Sequence, residues 1–427
     1  MHDFVESALT PKAVEATATL NLDWPQIASK ESSSVGARAG LQNSREPLSV
    51  IGLFAGIGGL EEGFRRAGHT SIMLCEVDPL ARRVLERNFR DVELKTDVRV
   101  LENLPEADVV TAGFPCQDLS QVGRRKGITG PNSGLIDYVF ALLRRLKTPP
   151  RWLVIENVPF MLSLDRGHAI RLVTKTLEEL GYAWAYRTVD AQAFGLPQRR
   201  RRVILLASKT CDPRPVLLGC DAGYLEPKTR RSHGCGFYWT EGNTGIGWAV
   251  DAVPPLKGGS ALHIPSPPAI WFPRRRFIGT PAITDAERLQ GFAADWTKID
   301  DADHHSERQR WRMVGNAVSV PMAKWIAERL SAPVEKFEVA DAEGLPSDRS
   351  WPGAAWGFGG RRARADVSEW PVHVPSPHLI SFLERRAPPL SKRAASGFLT
   401  RLLKSSLRYE KAFARDLKYH IAHVEKG

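Results

Sequence analysis

Val50-Ile51-Gly52-Leu53-Phe54-Ala55-Gly56-Ile57-Gly58-Gly59 is the stretch from which the architecture of this chain is read. An apolar run, a glycine-built turn and an amphipathic segment from about Leu60 read as strand, loop and helix in succession. The alternation then continues. A second strand is expected over 71–76, followed by a helix opened by Asp78-Pro79, because proline is tolerated in a first turn. Further strands are expected near 108–112, 152–156, 183–189 and 203–207, with helices at 135–146 and 168–180. Strands alternating with helices place the chain in the α/β class: a doubly wound, mostly parallel sheet covered on both faces.

Outside this block the pattern changes. Residues 1–46 are rich in Ala, Ser, Thr and Glu without periodicity and read as a flexible N-terminal tail. The α/β domain spans 47–208. Residues 209–282 carry Gly and Pro with interleaved aromatics and arginines (Phe237, Tyr238, Trp239, Trp271, Phe272, Arg274, Arg275, Arg276) and read as a small irregular domain. Helical pattern returns at 284–291 and again at 320–330, so 283–330 reads as a return to the α/β domain. Residues 331–427 read as a Pro/Gly/Trp-rich linker, to about 377, and a basic C-terminal extension. There Leu399, Leu402 and Leu403 at helical spacing predict a solvated, partly packed helix.

Composition narrows the function. No run of ~18 apolar residues exists to span a membrane. The acidic N-terminus lacks an apolar signal core, which points to a cytoplasmic protein. The cysteines, Cys75, Cys116, Cys211, Cys220 and Cys235, are scattered, so no disulfide framework is expected. Cys211, Cys220 and Cys235 with His233 are too widely spaced for a zinc motif, and no metal is expected. A net charge of +11 favours a polyanionic partner.

Chemistry concentrates at the predicted strand ends. In open α/β sheets ligands sit outside the carboxyl ends of the strands. The loop Phe54–Gly59 permits close backbone approach and exposes N–H groups at a helix start. A dinucleotide fingerprint would need glycine where Glu61 stands, and the Lys-Ser/Thr of a P-loop is missing. Glu76 ends the next strand, suited to ribose hydroxyls, and Asp97 follows on the same edge, suited to an exocyclic amine. These features suit a nucleoside cofactor without pyrophosphate. Gly113-Phe114-Pro115-Cys116-Gln117-Asp118-Leu119-Ser120 sets a thiol just beyond a strand, positioned as a nucleophile. Glu156-Asn157-Val158 ends another strand, where partial burial would make Glu156 a proton donor. Alternation in Gln198-Arg199-Arg200-Arg201-Arg202 puts Gln198, Arg200 and Arg202 on one side.

With Glu287-Arg288-Leu289-Gln290-Gly291-Phe292 and Gly315-Asn316-Ala317-Val318 plus Pro321, these blocks resemble, in order, those of the cytosine-5 DNA methyltransferases, over about residues 48–330. The resemblance implies a Rossmann-like methyltransferase fold with 209–282 as target-recognition domain, S-adenosylmethionine as cofactor and double-stranded DNA as partner. It implies that Cys116 attacks C6 of a flipped cytosine, that Glu156 contacts and protonates N3, and that Arg200 and Arg202 hold the base and that glutamate. Phe54, Gly56, Gly58, Glu76, Asp97, Pro115, Leu135 and Asn316 would line the cofactor pocket. Val77 stands where some members carry an aromatic against adenine. A sequence-specific monomer is expected, serving restriction-modification with an endonuclease that forms no stable complex with it. An inactive DNA-binding module and an RNA cytosine methyltransferase are the alternatives.

Overall fold

In the computed structural model the described residues are 46–114, 134–224, 233–243, 245–258, 267–299, 306–332 and 344–424. They lie in one unit, Ser44–Gly427. The expected tail at 1–46 lies almost wholly outside them, as do Pro115 and Cys116.

Among these residues the strands are β1 (Ser49–Leu53), β2 (Thr70–Cys75), β3 (Glu93–Lys95), β4 (Val109–Ala112), β5 (Trp152–Asn157), β6 (Ala183–Asp190) and β7 (Arg201–Ser208). Then come β8 (Cys235–Phe237), β9 (Ala249–Val250), β10 (Ala269–Phe272), β11 (Phe277–Gly279), β12 (Ala354–Phe358) and β13 (Arg361–Arg364). The helices begin with α1 (Gly59–Arg66), α2 (Pro79–Asn88), α3 (Leu135–Arg145), α4 (His168–Glu179) and α5 (Arg214–Leu217). They continue with α6 (Ile283–Leu289), α7 (Glu307–Asn316), α8 (Val320–Ser331), α9 (Leu379–Phe382), α10 (Lys392–Lys404) and α11 (Lys411–His423). None is long and apolar enough to cross a membrane.

The main sheet runs β13-β12-β6-β7-β5-β4-β1-β2-β3. From β3 through β5 every pairing is parallel. Both faces are covered, which explains the unbroken apolar runs. Ile51, Leu53, Val110, Ala112, Leu153 and Ile155 enter one hydrophobic core, while Val50, Val109, Trp152 and Val154 enter another. Beyond β5 the sheet turns antiparallel, through β7, β6, β12 and β13. The short link from β6 to β7 holds one helical turn, too little for the crossover that parallel strands require.

Two stretches differ from the reading of the sequence. The expected linker over 331–377 contributes β12 and β13, which extend the sheet beyond β6. Gly359 and Gly360 turn between them at φ 57° and 76°, the left-handed pair that a tight hairpin favours. Gly357 leaves room for the Trp184 indole, since a Cβ there would lie 2.5 Å from it. The second difference is the C-terminal extension. β11-β10-β8-β9 form a small antiparallel sheet where an irregular segment is expected. Phe398 and Leu402 of α10, with Phe413 and Leu417 of α11, complete its core against Phe237 and Trp271. Leu402 is buried and Leu403 is half exposed, so the helix is anchored on one face.

Candidate active site

The glycine loop lies between β1 and α1. Phe54, Gly56 and Gly58 take positive φ (55°, 56° and 83°), the region open to glycine and uncommon for phenylalanine. The Gly56 N–H donates to a Glu76 carboxylate oxygen at 2.8 Å, and the Asp78 N–H donates to the other at 2.7 Å. A Cβ on Gly56 would meet nothing within 4 Å, so the loop faces open space. Trp296 closes its far side by donating its indole N–H to the Ile57 carbonyl at 2.8 Å. Burial raises the Glu76 pKa, opposed by the two backbone donors. Burial pushes the neighbouring Cys75 thiol up to about 12, helped by the Asp97 and Glu76 carboxylates. Cys75 is therefore inert, and the two carboxylates share one neighbourhood. Asp97 is held by Arg99 at 2.6 Å, which lowers its pKa. Leu135 begins α3, partly buried against the core, and Asn316 ends α7, exposed.

At the neighbouring strand ends Gly113 acts as a ruler. A Cβ there would lie 3.9 Å from Glu156 Oε2, 3.9 Å from Val318 Cγ2 and 4.0 Å from the Phe54 carbonyl. The glycine loop, the end of β5 and the segment before α8 thus meet at one point. Glu156 is buried and receives a 2.8 Å contact from Arg202 Nε. Burial raises its pKa, with Arg202 and then Arg200 pulling the other way. In the sequence Asn157 stands out only as the neighbour of Glu156. Its Nδ2 donates to the Phe114 carbonyl at 3.0 Å, which fixes the last described residue before Pro115.

Sequence similarity agrees with this layout. The family model for C-5 cytosine-specific DNA methylase matches residues 48–216. The Type II methyltransferase M2.BsuMI of Bacillus subtilis (strain 168) is 48% identical over 383 residues, covering 87% of this chain and 97% of the relative. The chain belongs to the C-5 cytosine-specific DNA methylases. The Type II methyltransferase M.MspI of Moraxella sp is 29% identical over 320 residues, covering 68% of this chain and 74% of that one.

In this DNA methylase the two inward arginines part company. Arg202 meets Glu156, whereas Arg200 donates to the carbonyls of Leu256 (2.9 Å), Gly315 (3.2 Å) and Ala317 (2.7 Å). Arg200 is thereby a tie between the segment after β9 and the end of α7, beside Glu156 rather than on it. The alternation in Gln198–Arg202 holds: Gln198 and Arg200 are buried, and Arg199 and Arg201 are exposed. Gln198 also acts as a tie, donating to the Leu289 carbonyl at 2.7 Å and accepting the Leu256 N–H at 3.0 Å. Glu287, fully buried, accepts from the backbones of Asp295 (2.7 Å) and Thr297 (2.9 Å) and from Arg310 (2.9 Å). Strand-like alternation marked Gln198 and Arg200 in the sequence, whereas Glu287 stood out only as part of its block.

Close packing returns the chain to the sheet. A Cβ on Gly63 would lie 2.4 Å from that of Ala323, and one on Gly59 would lie 2.5 Å from the Val318 carbonyl. Small residues on α1 therefore let α8 lie against it and carry Val318 to the crevice.

Proposed function

We propose that this methyltransferase moves a methyl group from S-adenosylmethionine to C5 of a cytosine flipped out of double-stranded DNA, at one short sequence, through a covalent adduct with Cys116. The convergence at Gly113 carries this reading: the cofactor-side loop and the Glu156–Arg202 pair lie within about one side chain of each other. A duplex hides the base, so extrusion must precede chemistry.

C5 of cytosine is too weak a nucleophile to act unaided. The Cys116 thiolate adds its electron pair to C6, and the displaced π electrons run through the ring to N3, which takes the proton of Glu156. C5 is then an enamine carbon. When bound, S-adenosylmethionine supplies the electrophilic methyl carbon that C5 takes. Loss of the C5 proton, expulsion of the thiolate and return of the N3 proton to Glu156 restore the aromatic ring. Burial raises the Glu156 pKa and so favours its protonated form, while Arg202 stabilises the carboxylate once the proton leaves. Asn157 holds the backbone that leads to Cys116.

The residues present suit the methyl donor. The open side of Gly56 admits a ligand against backbone, and Glu76, already anchored, is an acceptor for ribose hydroxyls. Asp97, Leu135, Asn316 and Pro115 complete the proposed pocket. Asp97 would reach an amine only by sharing its carboxylate with Arg99. The names of the relatives, Type II methyltransferases, support a restriction-modification role. The enzyme would act as a monomer on the site of an endonuclease that it does not bind.

The test is methyl transfer from labelled S-adenosylmethionine to unmethylated genomic DNA, with base-resolution sequencing, for wild type and Cys116→Ala. The expected result is 5-methylcytosine at one motif and a silent variant. DNA binding without transfer by either protein, or transfer by the variant, overturns the proposal.

A further inference from the structure

His233 before β8, Asp251 just after β9 and His378 just before α9 come from distant parts of the chain, yet their ligand atoms all lie within 4.8 Å of one another. His378 Nδ1 is 2.7 Å from His233 Nδ1 and 2.8 Å from Asp251 Oδ2. We infer that these three side chains form a binding site for a divalent transition cation of the zinc class, which pins the C-terminal segment to the small sheet.

Proton counting carries the argument. An imidazole nitrogen holds either one hydrogen or one lone pair. His378 Nδ1 faces a second imidazole nitrogen and a carboxylate oxygen together, so a single N–H cannot be given fully to both. A cation among the three takes a lone pair from each at once. Asp251 is built for such a role. It is 3% exposed, its Oδ1 accepts the Leu379 N–H at 2.8 Å, and Oδ2 is thereby directed at the histidine. A partner that fixes a ligand's second atom is the usual outer support of a metal site. Asp251 holds this pose at φ 52°, an uncommon conformation for a residue other than glycine.

The donor set defines the ligand class. Two imidazoles and one carboxylate suit zinc and neighbouring first-row ions, whereas magnesium and calcium prefer all-oxygen shells. His378 is 60% exposed in its side chain, which leaves a fourth position open to water. The gain is mechanical: α10 and α11, which follow His378, complete the core of the small sheet. A bridge between residues 251 and 378 would close the long loop between them.

The test uses the full-length protein without a polyhistidine tag, stripped with a chelator and titrated with Zn²⁺ against a chromophoric chelator. Co²⁺ serves as a spectroscopic probe. The expected result is one cation per chain, bound more tightly than micromolar, with visible cobalt bands and a higher Tm on zinc loading. His378→Ala, at an exposed side chain, should weaken binding roughly 100-fold or more and abolish the bands. His233→Ala should do the same, with far-UV circular dichroism confirming that both variants fold. Absence of stoichiometric metal in the wild type, or cobalt bands that survive in folded His378→Ala, overturns the inference. Neither readout involves methyl transfer, so this inference and the proposed function fail separately.

Discussion

Replacing Glu61 with Gln should remove a pH-dependent weakness from the fold. Glu61 lies in the first turn of α1 and is 1% exposed. Its Oε1 accepts the Thr111 hydroxyl at 3.0 Å and fills the space left by Gly52, where a Cβ would lie 2.3 Å away. Its Oε2 has no hydrogen-bond partner among the described residues. Burial pushes its pKa from 4.5 up to about 7, opposed by backbone and Thr111 hydrogen bonds and reinforced by the Glu76 charge. A carboxyl raised in this way contributes stability that is complete below pH 4.5 and is lost as pH climbs through about 7. At about 1.4 kcal/mol per pKa unit, the wild type forfeits ~3 kcal/mol across that window. For a unit the size of Ser44–Gly427, with about 2.1 cal/mol/K of unfolding entropy per residue, the loss is about 4 °C in Tm. Glu61→Gln keeps an acceptor for Thr111 and cannot ionise. Thermal melts of both proteins at about pH 5 and about pH 8.5 isolate the effect, because the fixed cost of burying the amide is the same at both. The gap should move by about 3 °C in favour of the variant at the higher pH, since part of the loss is already complete at pH 5. A gap that does not change with pH would refute the reasoning.

Four further outcomes are expected. Glu156→Gln should lower methyl transfer by about 10²–10⁴-fold in a labelled-methyl assay while duplex affinity by filter binding changes little. Arg202→Ala, which leaves the buried Glu156 to take up a proton without its hydrogen-bond partner, should cost about 1–3 kcal/mol in urea denaturation. Gly315→Ala would set a Cβ 2.2 Å from the Lys257 carbonyl carbon and part the two segments that Arg200 joins. A loss of about 1–3 kcal/mol is expected by the same measurement, against no change for Gly344→Ala, which has open space. Truncation after Pro377 strips Phe398, Leu402, Phe413 and Leu417 from Phe237 and Trp271. Limited proteolysis should then cut the small sheet, and sequence-specific binding should be lost.

The strands near 50, 110, 153 and 204 were legible because a sheet covered on both faces demands unbroken apolar runs. Glu76, Glu156 and the Gly56 turn were legible because strand ends and positive φ restrict which residues can stand there. Composition misled at β12, where the Trp-Gly-Phe-Gly-Gly of a hairpin carries the same residues as a linker. It misled again at α10, whose basic residues hide one buried face.

Local order alone therefore determined the alternating α/β pattern, the place of Glu76 and Glu156 at strand ends and the family, since each depends on neighbours or short spacings. Tertiary structure alone decided which arginine meets Glu156, which helices complete the small sheet, and that His233, Asp251 and His378 converge. Residues 145 positions apart meet only when separate elements pack in register, and no short-range periodicity encodes that meeting.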